Sequence, residues 1–398
     1  MPIHPLNILF LPRWYPHRYD PMPGLFIQRQ AEALATRHHV VVLYVHPDPG
    51  CPSEFEIDFA EENGVTVVRV YYKIPEIVLP GIYQALTIAS FYRAHQRGLE
   101  VVGDFIPDVI HSHVLTRTAM IGHYLSRRYR VPHVISEHWS RYFAGNLSYR
   151  GWLRKWFTKY LVRKADTIIP VSEVLHRAMV SWRLVNDRYV VIPNIVDPIS
   201  IPDYPEKRED HRERPAARRQ ILHVSCFDDR AKNISGLLDS LLELSKKRSD
   251  FQCLLVGTGP DLKEMQHRAT ELGLLGTTVF FPGLKDQHEL AILYEQSDFT
   301  VLSSRYETFG TVVIESLACG TPVLSTAVGI APEVITAENG ILIPVNDRQA
   351  LTEGLDRMLD RCDSYERKLV RASVPQRFTC ESVANQLSSV YSQIRGDV

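Results

Sequence analysis

Short apolar runs recur along the chain, and each is followed by a stretch with helical spacing of its hydrophobic positions. Asn7–Leu11, Val40–Val45, Val65–Val70, Asp108–Ser112, His133–Ser136 and Thr167–Val171 are strand-length and mostly rich in β-branched residues. Gln28–Arg37, Ile82–Val102, Thr116–Arg130 and Leu153–Lys164 read as helices among them. The pattern then breaks at Pro198–Arg219, a stretch rich in proline and charge. It restarts with Gln220–Val224, Gln252–Val256, Val279–Phe281, Phe299–Leu302 and Pro322–Ser325. Repeated β-then-α units predict parallel sheets with helices on both faces. The expected fold is therefore α/β, with two Rossmann-like, doubly wound domains facing across a cleft. The expected boundaries are 1–197 for the first domain, 198–219 for a linker and 220–374 for the second. Residues 375–398 are expected to form a C-terminal helix packing back toward the first.

Composition adds an asymmetry. The 398 residues carry a net charge of −1, but residues 1–196 hold +6 and the remainder −7. The first half is thus the candidate for meeting a negatively charged partner or surface. Twelve of the 16 histidines also lie there, so mild acid is expected to make it more basic. The six cysteines show no metal-ligand spacing, which points to reduced, mostly buried thiols and a cytoplasmic setting. The sequence shows no signal-peptide pattern and no apolar stretch of about twenty residues.

The segment of greatest chemical interest runs from Ser303 to Val323. Glu307 and Glu315 stand eight positions apart, with Phe309-Gly310 between them. The strand Phe299–Leu302 leads in, and a helical run starts near Thr311. Phe309 and Gly310 then fall at a helix N-terminus, where unpaired N–H groups and the helix dipole favour an anion. Glu315, about two turns along on nearly the same face, sits among Val312, Ile314 and Leu317, so its charge needs a partner. Phosphate-binding amides and two carboxylates for hydroxyl groups together suit a nucleotide-sugar.

On these residues the chain resembles glycosyltransferase family 4, retaining enzymes of the GT-B fold, whose E-x7-E signature matches Glu307 and Glu315. The resemblance runs in order from about Asn7 to Leu359. It implies a metal-independent hexosyltransferase without a cofactor, moving sugar from a nucleoside-diphosphate sugar to a saccharide or lipid-linked acceptor. Polysaccharide or glycolipid assembly is the implied setting. The resemblance gives Glu307 the sugar hydroxyls and Glu315 the ribose, with Thr308, Phe309, Gly310 and Thr311 around the donor. Lys232 matches the lysine that neutralises the diphosphate. The arginine usually found five residues earlier is missing, since Phe227 stands there, and Arg230 is the candidate replacement. Gly24, in the loop after the first strand, matches the glycine that lets backbone approach the diphosphate. Leu284 matches the contact to the nucleobase. His138 matches the histidine that reaches the donor sugar, and His111 and His113 fall on the strand expected near the acceptor. Catalysis is expected to rest on Lys232, Glu307 and His138.

His111 and His113 lack a nearby third ligand for a metal site. Gly257-Thr258-Gly259 lacks the third glycine of a dinucleotide fingerprint. Basic and aromatic residues alternate from Trp152 to Lys164, which suits either an anionic membrane surface or a packed helix with a solvated basic face. No nucleic-acid module is present. The alternatives to a transferase are an epimerase or hydrolase of the same fold, and a catalytically silent nucleotide-sugar binding protein.

Overall fold

The computed structural model describes residues 4–74, 80–115, 117–144, 146, 148–196 and 218–396. The chain forms two compact units, Met1–Ile195 with Arg377–Val398, and Val196–Gln376. Residues 198–217 of the expected linker lie outside the described residues.

The first unit is built on seven strands: β1 Asn7–Pro12, β2 His39–Pro47, β3 Phe55–Glu62, β4 Val65–Tyr72, β5 Val109–His113, β6 His133–Glu137 and β7 Thr167–Pro170. Their order is β3-β4-β2-β1-β5-β6-β7, parallel throughout except for β3. The inner strands are buried on both faces, which explains their near-continuous apolar runs. β3 is different: it alternates, is largely exposed, and pairs antiparallel with β4 across Asn63-Gly64. Both turn residues have positive φ, 49° and 81°, the geometry of a tight hairpin that matches strand twist. The C-terminal helix Cys380–Arg395 belongs to this unit. Its Leu387, Val390 and Tyr391 join Ile27 and Leu34 of the helix Leu25–Ala35 in one core.

The second unit holds β8 Arg219–Val224, β9 Phe251–Val256, β10 Val279–Gly283, β11 Phe299–Leu302, β12 Val323–Thr326 and β13 Gly340–Ile343. All neighbours are parallel, in the order β10-β9-β8-β11-β12-β13. β8 begins at Arg219, inside the expected linker. The chain winds outward from β8 in one direction, then returns to β11 and winds in the other. Each sheet therefore has a switch point, between β1 and β5 in the first and between β8 and β11 in the second. Side chains at the carboxyl ends of these strands are the natural ligand-facing groups.

Candidate functional site

Two loops leave the switch point of the second sheet. The loop after β8 makes one short helix, Asp229–Lys232, stopped by Asn233 at φ 55°. The loop after β11 runs from Ser303 to Gly310, which caps the helix Thr311–Ala318 with φ 84°. The two are stitched together. Arg305 N–H donates to the Ala231 carbonyl at 2.7 Å, and its guanidinium donates to the Asp229 carbonyl. Ser303 Oγ donates to the Lys232 carbonyl at 2.9 Å. The result is an ion pair across 75 residues of sequence: Lys232 Nζ lies 2.6 Å from Glu307 Oε1. Ser304 Oγ donates to the same oxygen at 2.7 Å, leaving Glu307 Oε2 for another donor. Burial pulls the Lys232 ammonium down, but Glu307 beside it, together with Cys226 and Asp228, more than offsets this and the net shift is upward. Lys232 thus stays charged where a phosphate could meet it.

Glu307 stands on the loop, four residues ahead of the helix. The two carboxylates therefore do not share a helical face, contrary to expectation. Glu315 instead reaches sideways, where the buried Tyr294 hydroxyl donates to its Oε2 at 3.0 Å. That is the partner its apolar surroundings required. Behind this loop, Ile330 N–H donates to the Phe309 carbonyl at 2.7 Å. A Cβ on Gly329 would come within 2.3 Å of that carbonyl oxygen, so only glycine permits the approach. Phe309 is buried and anchors the loop, while Thr308, Gly310 and Thr311 are half-buried. Arg230 is exposed, with Tyr306 as its hydrogen-bond partner. Leu284 is 56% exposed just past the end of β10.

Gly257 and Gly259 have a packing reason. A Cβ on either would meet backbone of the loop after β8, at 2.0 Å from Ser225 O and 2.4 Å from Phe227 N. Gly24 is similar: the space of its Cβ is filled by the Trp14 carbonyl at 2.2 Å. The glycine there serves the chain's own packing, whatever its amide meets.

In the first unit the histidines gather beneath the sheet end. His111 and His113 stack at 4.2 Å, and His113 stacks on His138 at 5.5 Å. His111 corrects the expectation of an acceptor contact. It is fully buried, with Nδ1 on Tyr391 Oη at 2.7 Å and Nε2 on Ser136 Oγ at 2.8 Å. His113 Nδ1 meets His138 Nε2 at 3.3 Å. Among the described residues, His113 Nε2 has no partner, while the His138 ring has Asn194 as a hydrogen-bond partner. Burial, with Asn194 partly opposing it, pushes His138 down to about 3, so the ring is neutral.

Mild acid does not make this half markedly more basic through its buried histidines, a second correction. Burial pushes His46 and His95 down to about 4 and His133 to about 3. Unfolded histidines titrate near 6.5. As pH falls through that value the unfolded chain binds protons that the folded chain refuses until about 3 to 4. Acid therefore destabilises the fold through these groups.

Glu137, at the end of β6, is fully buried and carries no expected role. Its Oε1 accepts from the amides of His138 and Trp139, at 2.9 and 2.8 Å. Its Oε2 accepts from Leu115 N–H and the Tyr142 hydroxyl, both at 3.0 Å. This carboxylate ties the loop after β5 to the loop after β6. An acidic residue closing an otherwise buried strand was its only sequence signal.

Among the described residues one group has metal-ligand spacing, Asp298, Cys362 and Asp363. Arg219 already engages both carboxylates, at the amino end of β8 and away from Lys232. On the helix Trp152–Lys164 the buried face is Thr158, Leu161 and Val162. The aromatic stripe faces water: Trp152 is 75% exposed, Trp156 61% and Tyr160 37%. No helix among the described residues is long and apolar enough to cross a membrane.

Residues 23–195 match the model of the glycosyl transferase 4-like domain, and residues 205–372 that of the glycosyl transferases group 1. The alpha-monoglucosyldiacylglycerol synthase of Streptococcus pneumoniae is 24% identical over 59% of this chain and 55% of its own length. The phosphatidyl-myo-inositol mannosyltransferase of Mycobacterium leprae is 29% identical over 74% of this chain and 75% of its own. Among solved structures, Anabaena HepE in complex with UDP and glucose superposes with a TM-score of 0.69 at 18% identity. It covers 98% of this chain and 100% of that one.

Proposed function

We propose that this chain, which belongs to the family 4 glycosyltransferases of the GT-B fold, moves a sugar from a nucleoside-diphosphate sugar to a hydroxyl acceptor with retention of configuration. The observation that carries the reading is the Lys232–Glu307 pair, 2.6 Å apart at the switch point of the second sheet. Such a site offers a cation, a helix start and a carboxylate within one loop pair. The donor diphosphate meets the Lys232 ammonium and the start of the helix at Thr311. Glu307 Oε2 accepts from a sugar hydroxyl. Glu315, oriented by Tyr294, accepts from the ribose, and Leu284 lies against the base. Arg230 is a second cation on the short helix. As the anomeric carbon–oxygen bond breaks, negative charge grows on the β-phosphate, and Lys232 stabilises it without reorganisation. The acceptor oxygen forms its bond on the same face, and the departing phosphate takes the acceptor proton. Lys232 and the helix start supply the electrophile, so no metal is required. The first unit holds the acceptor near His113 and His138, where the unpartnered His113 Nε2 suits a hydroxyl group.

The complex of the Anabaena structure with UDP and glucose, and the lipid named for the mycobacterial relative, support a nucleotide-sugar donor and a glycolipid product. The test is release of nucleoside diphosphate from a donor panel in excess EDTA, with and without vesicle-borne or soluble acceptor. Acceptor-dependent release is expected. Equal release without acceptor would make the protein a hydrolase, and binding without turnover would make it a silent binder.

A peripheral membrane contact rests on the exposed Trp152, Trp156 and Tyr160 beside Arg154, Lys159 and Arg163. Each basic group near an anionic surface contributes roughly 1 kcal/mol, and salt screens it. Co-sedimentation with vesicles should rise with anionic lipid, fall with salt, and drop when Trp152 and Trp156 become Ser. Equal sedimentation with neutral and anionic vesicles sinks this contact.

A further inference from the structure

The carboxyl ends of three adjacent strands in the first sheet each lead to an arginine. Arg13 follows β1, Arg117 opens the helix after β5, and Arg141 lies in the loop after β6. β5 lies between β1 and β6 in the sheet, so the three loops are neighbours. Arg13 N–H donates to the His113 carbonyl at 3.2 Å, which fixes the first loop against the second. Glu137 fixes the second against the third through Leu115, His138, Trp139 and Tyr142.

Among the described residues, no carboxylate forms an ion pair with these guanidinium groups. Arg141 is only 4% exposed, yet its Nε has no partner, and the Arg13 Nε is also buried and unpartnered, among the described residues. Arg141 lies 3.5 Å over the Trp139 ring, a contact that leaves its edge free. Glu137, the carboxylate of the same loop, has both oxygens occupied. The Arg13 guanidinium is held below its usual range, by burial and, opposed by Tyr44, by the like charges of Arg117 and Arg141. The helix that Arg117 opens has no acidic residue in its first turn. Half-buried Trp14 and Trp139 meet edge-to-face at 5.3 Å beside this group. Buried donors without acceptors are costly, and clustered arginines repel. An arriving anion relieves both, and guanidinium forks match the oxygens of phosphate or carboxylate.

We propose that Arg13, Arg117 and Arg141 form an anion site on the first unit that takes a phosphate or carboxylate borne by the acceptor. This deepens the transferase reading and rests on it: the acceptor is an anionic polyol or sugar, with its hydroxyl toward His113 and His138 and its charge on the arginines. One chemistry has two sources, a free phosphomonoester or a phospholipid headgroup.

The experiment titrates full-length protein with glycerol 3-phosphate by calorimetry, and in a second arm with vesicles of phosphatidylinositol in phosphatidylcholine. UDP and GDP are titrated in parallel. Arg141→Gln and Arg13→Gln should each weaken binding by about tenfold or more. Arg117→Gln, at an exposed position, should weaken it without loss of folding, which guards against a buried variant that fails to fold. Nucleotide affinity should not change. Loss in the first arm alone identifies a soluble acceptor, and loss in the vesicle arm alone a lipid headgroup. Unaltered binding by all three variants in both arms, or no binding by the wild-type protein in either, overturns the site. Loss of nucleotide binding instead would place the arginines on the donor and overturn it too. Absence of nucleotide binding by the wild-type protein is a failure of the donor reading and is separately visible.

Discussion

Glu137→Ala is expected to lower the stability of the first unit by about 3–5 kcal/mol, among the largest effects of any single substitution outside the donor site. The carboxylate is fully buried and accepts four hydrogen bonds, one from the loop after β5 and three from the loop after β6. Removing it strands three amide donors and a tyrosine hydroxyl, each costing about 1–3 kcal/mol if water does not replace the acceptor. The Leu115 bond anchors the residue next to Val114, which stands at φ 77°, a conformation that a β-branched residue adopts only when its surroundings impose it. All five tryptophans lie in the first unit, so fluorescence-detected denaturant unfolding reports on that unit alone. Two units need not unfold together, which makes this selectivity necessary. Glu137→Gln should fall between, because its amide keeps one acceptor but turns a donor toward donors. A loss below about 1 kcal/mol for the alanine variant would show that the two loops hold without the carboxylate.

The sheets were legible because their strands are buried on both faces. A parallel strand under helices reads as an apolar run, and β1, β2, β5, β8, β9 and β11 were recognised on that basis. β3 was not, because it is an exposed edge whose side chains alternate polar and apolar with no strong run. Its signal lay in Asn63-Gly64, the tight-turn pair, which went unread. β13 escaped because four residues with Leu342 exposed carry little pattern.

The donor loops were legible in part. Spacing placed Glu307 and Glu315 on one strand–loop–helix element, and the resemblance placed Lys232. The partners that set their chemistry were not visible. Tyr294 reaches Glu315 from a neighbouring helix, Arg305 holds carbonyls of the other loop, and Ser304 donates its hydroxyl to Glu307. The histidines show the same limit. Alternation placed His111 and His113 on one face, as their stacked rings show. His111 is covered by Tyr391, 280 positions away, and no local pattern reports that. A histidine count therefore overstated what acid would do.

The central claim concerns Lys232. Its ammonium is held charged beside Glu307, and the proposed mechanism puts the charge of the leaving β-phosphate against it. Lys232→Ala removes stabilisation that is greater in the transition state than in the bound donor. kcat is therefore expected to fall by about a hundredfold or more. Glu307 then keeps only the Ser304 hydroxyl, so sugar placement loosens as well. Glu315→Ala differs in kind: it removes the proposed ribose acceptor and should weaken nucleotide binding as well. The measurement is steady-state release of nucleoside diphosphate by Lys232→Ala at saturating donor and acceptor, beside the wild-type protein. A fall of about a hundredfold or more in kcat is the predicted result. A variant that turns over at the wild-type rate would contradict the assignment of this site to sugar transfer.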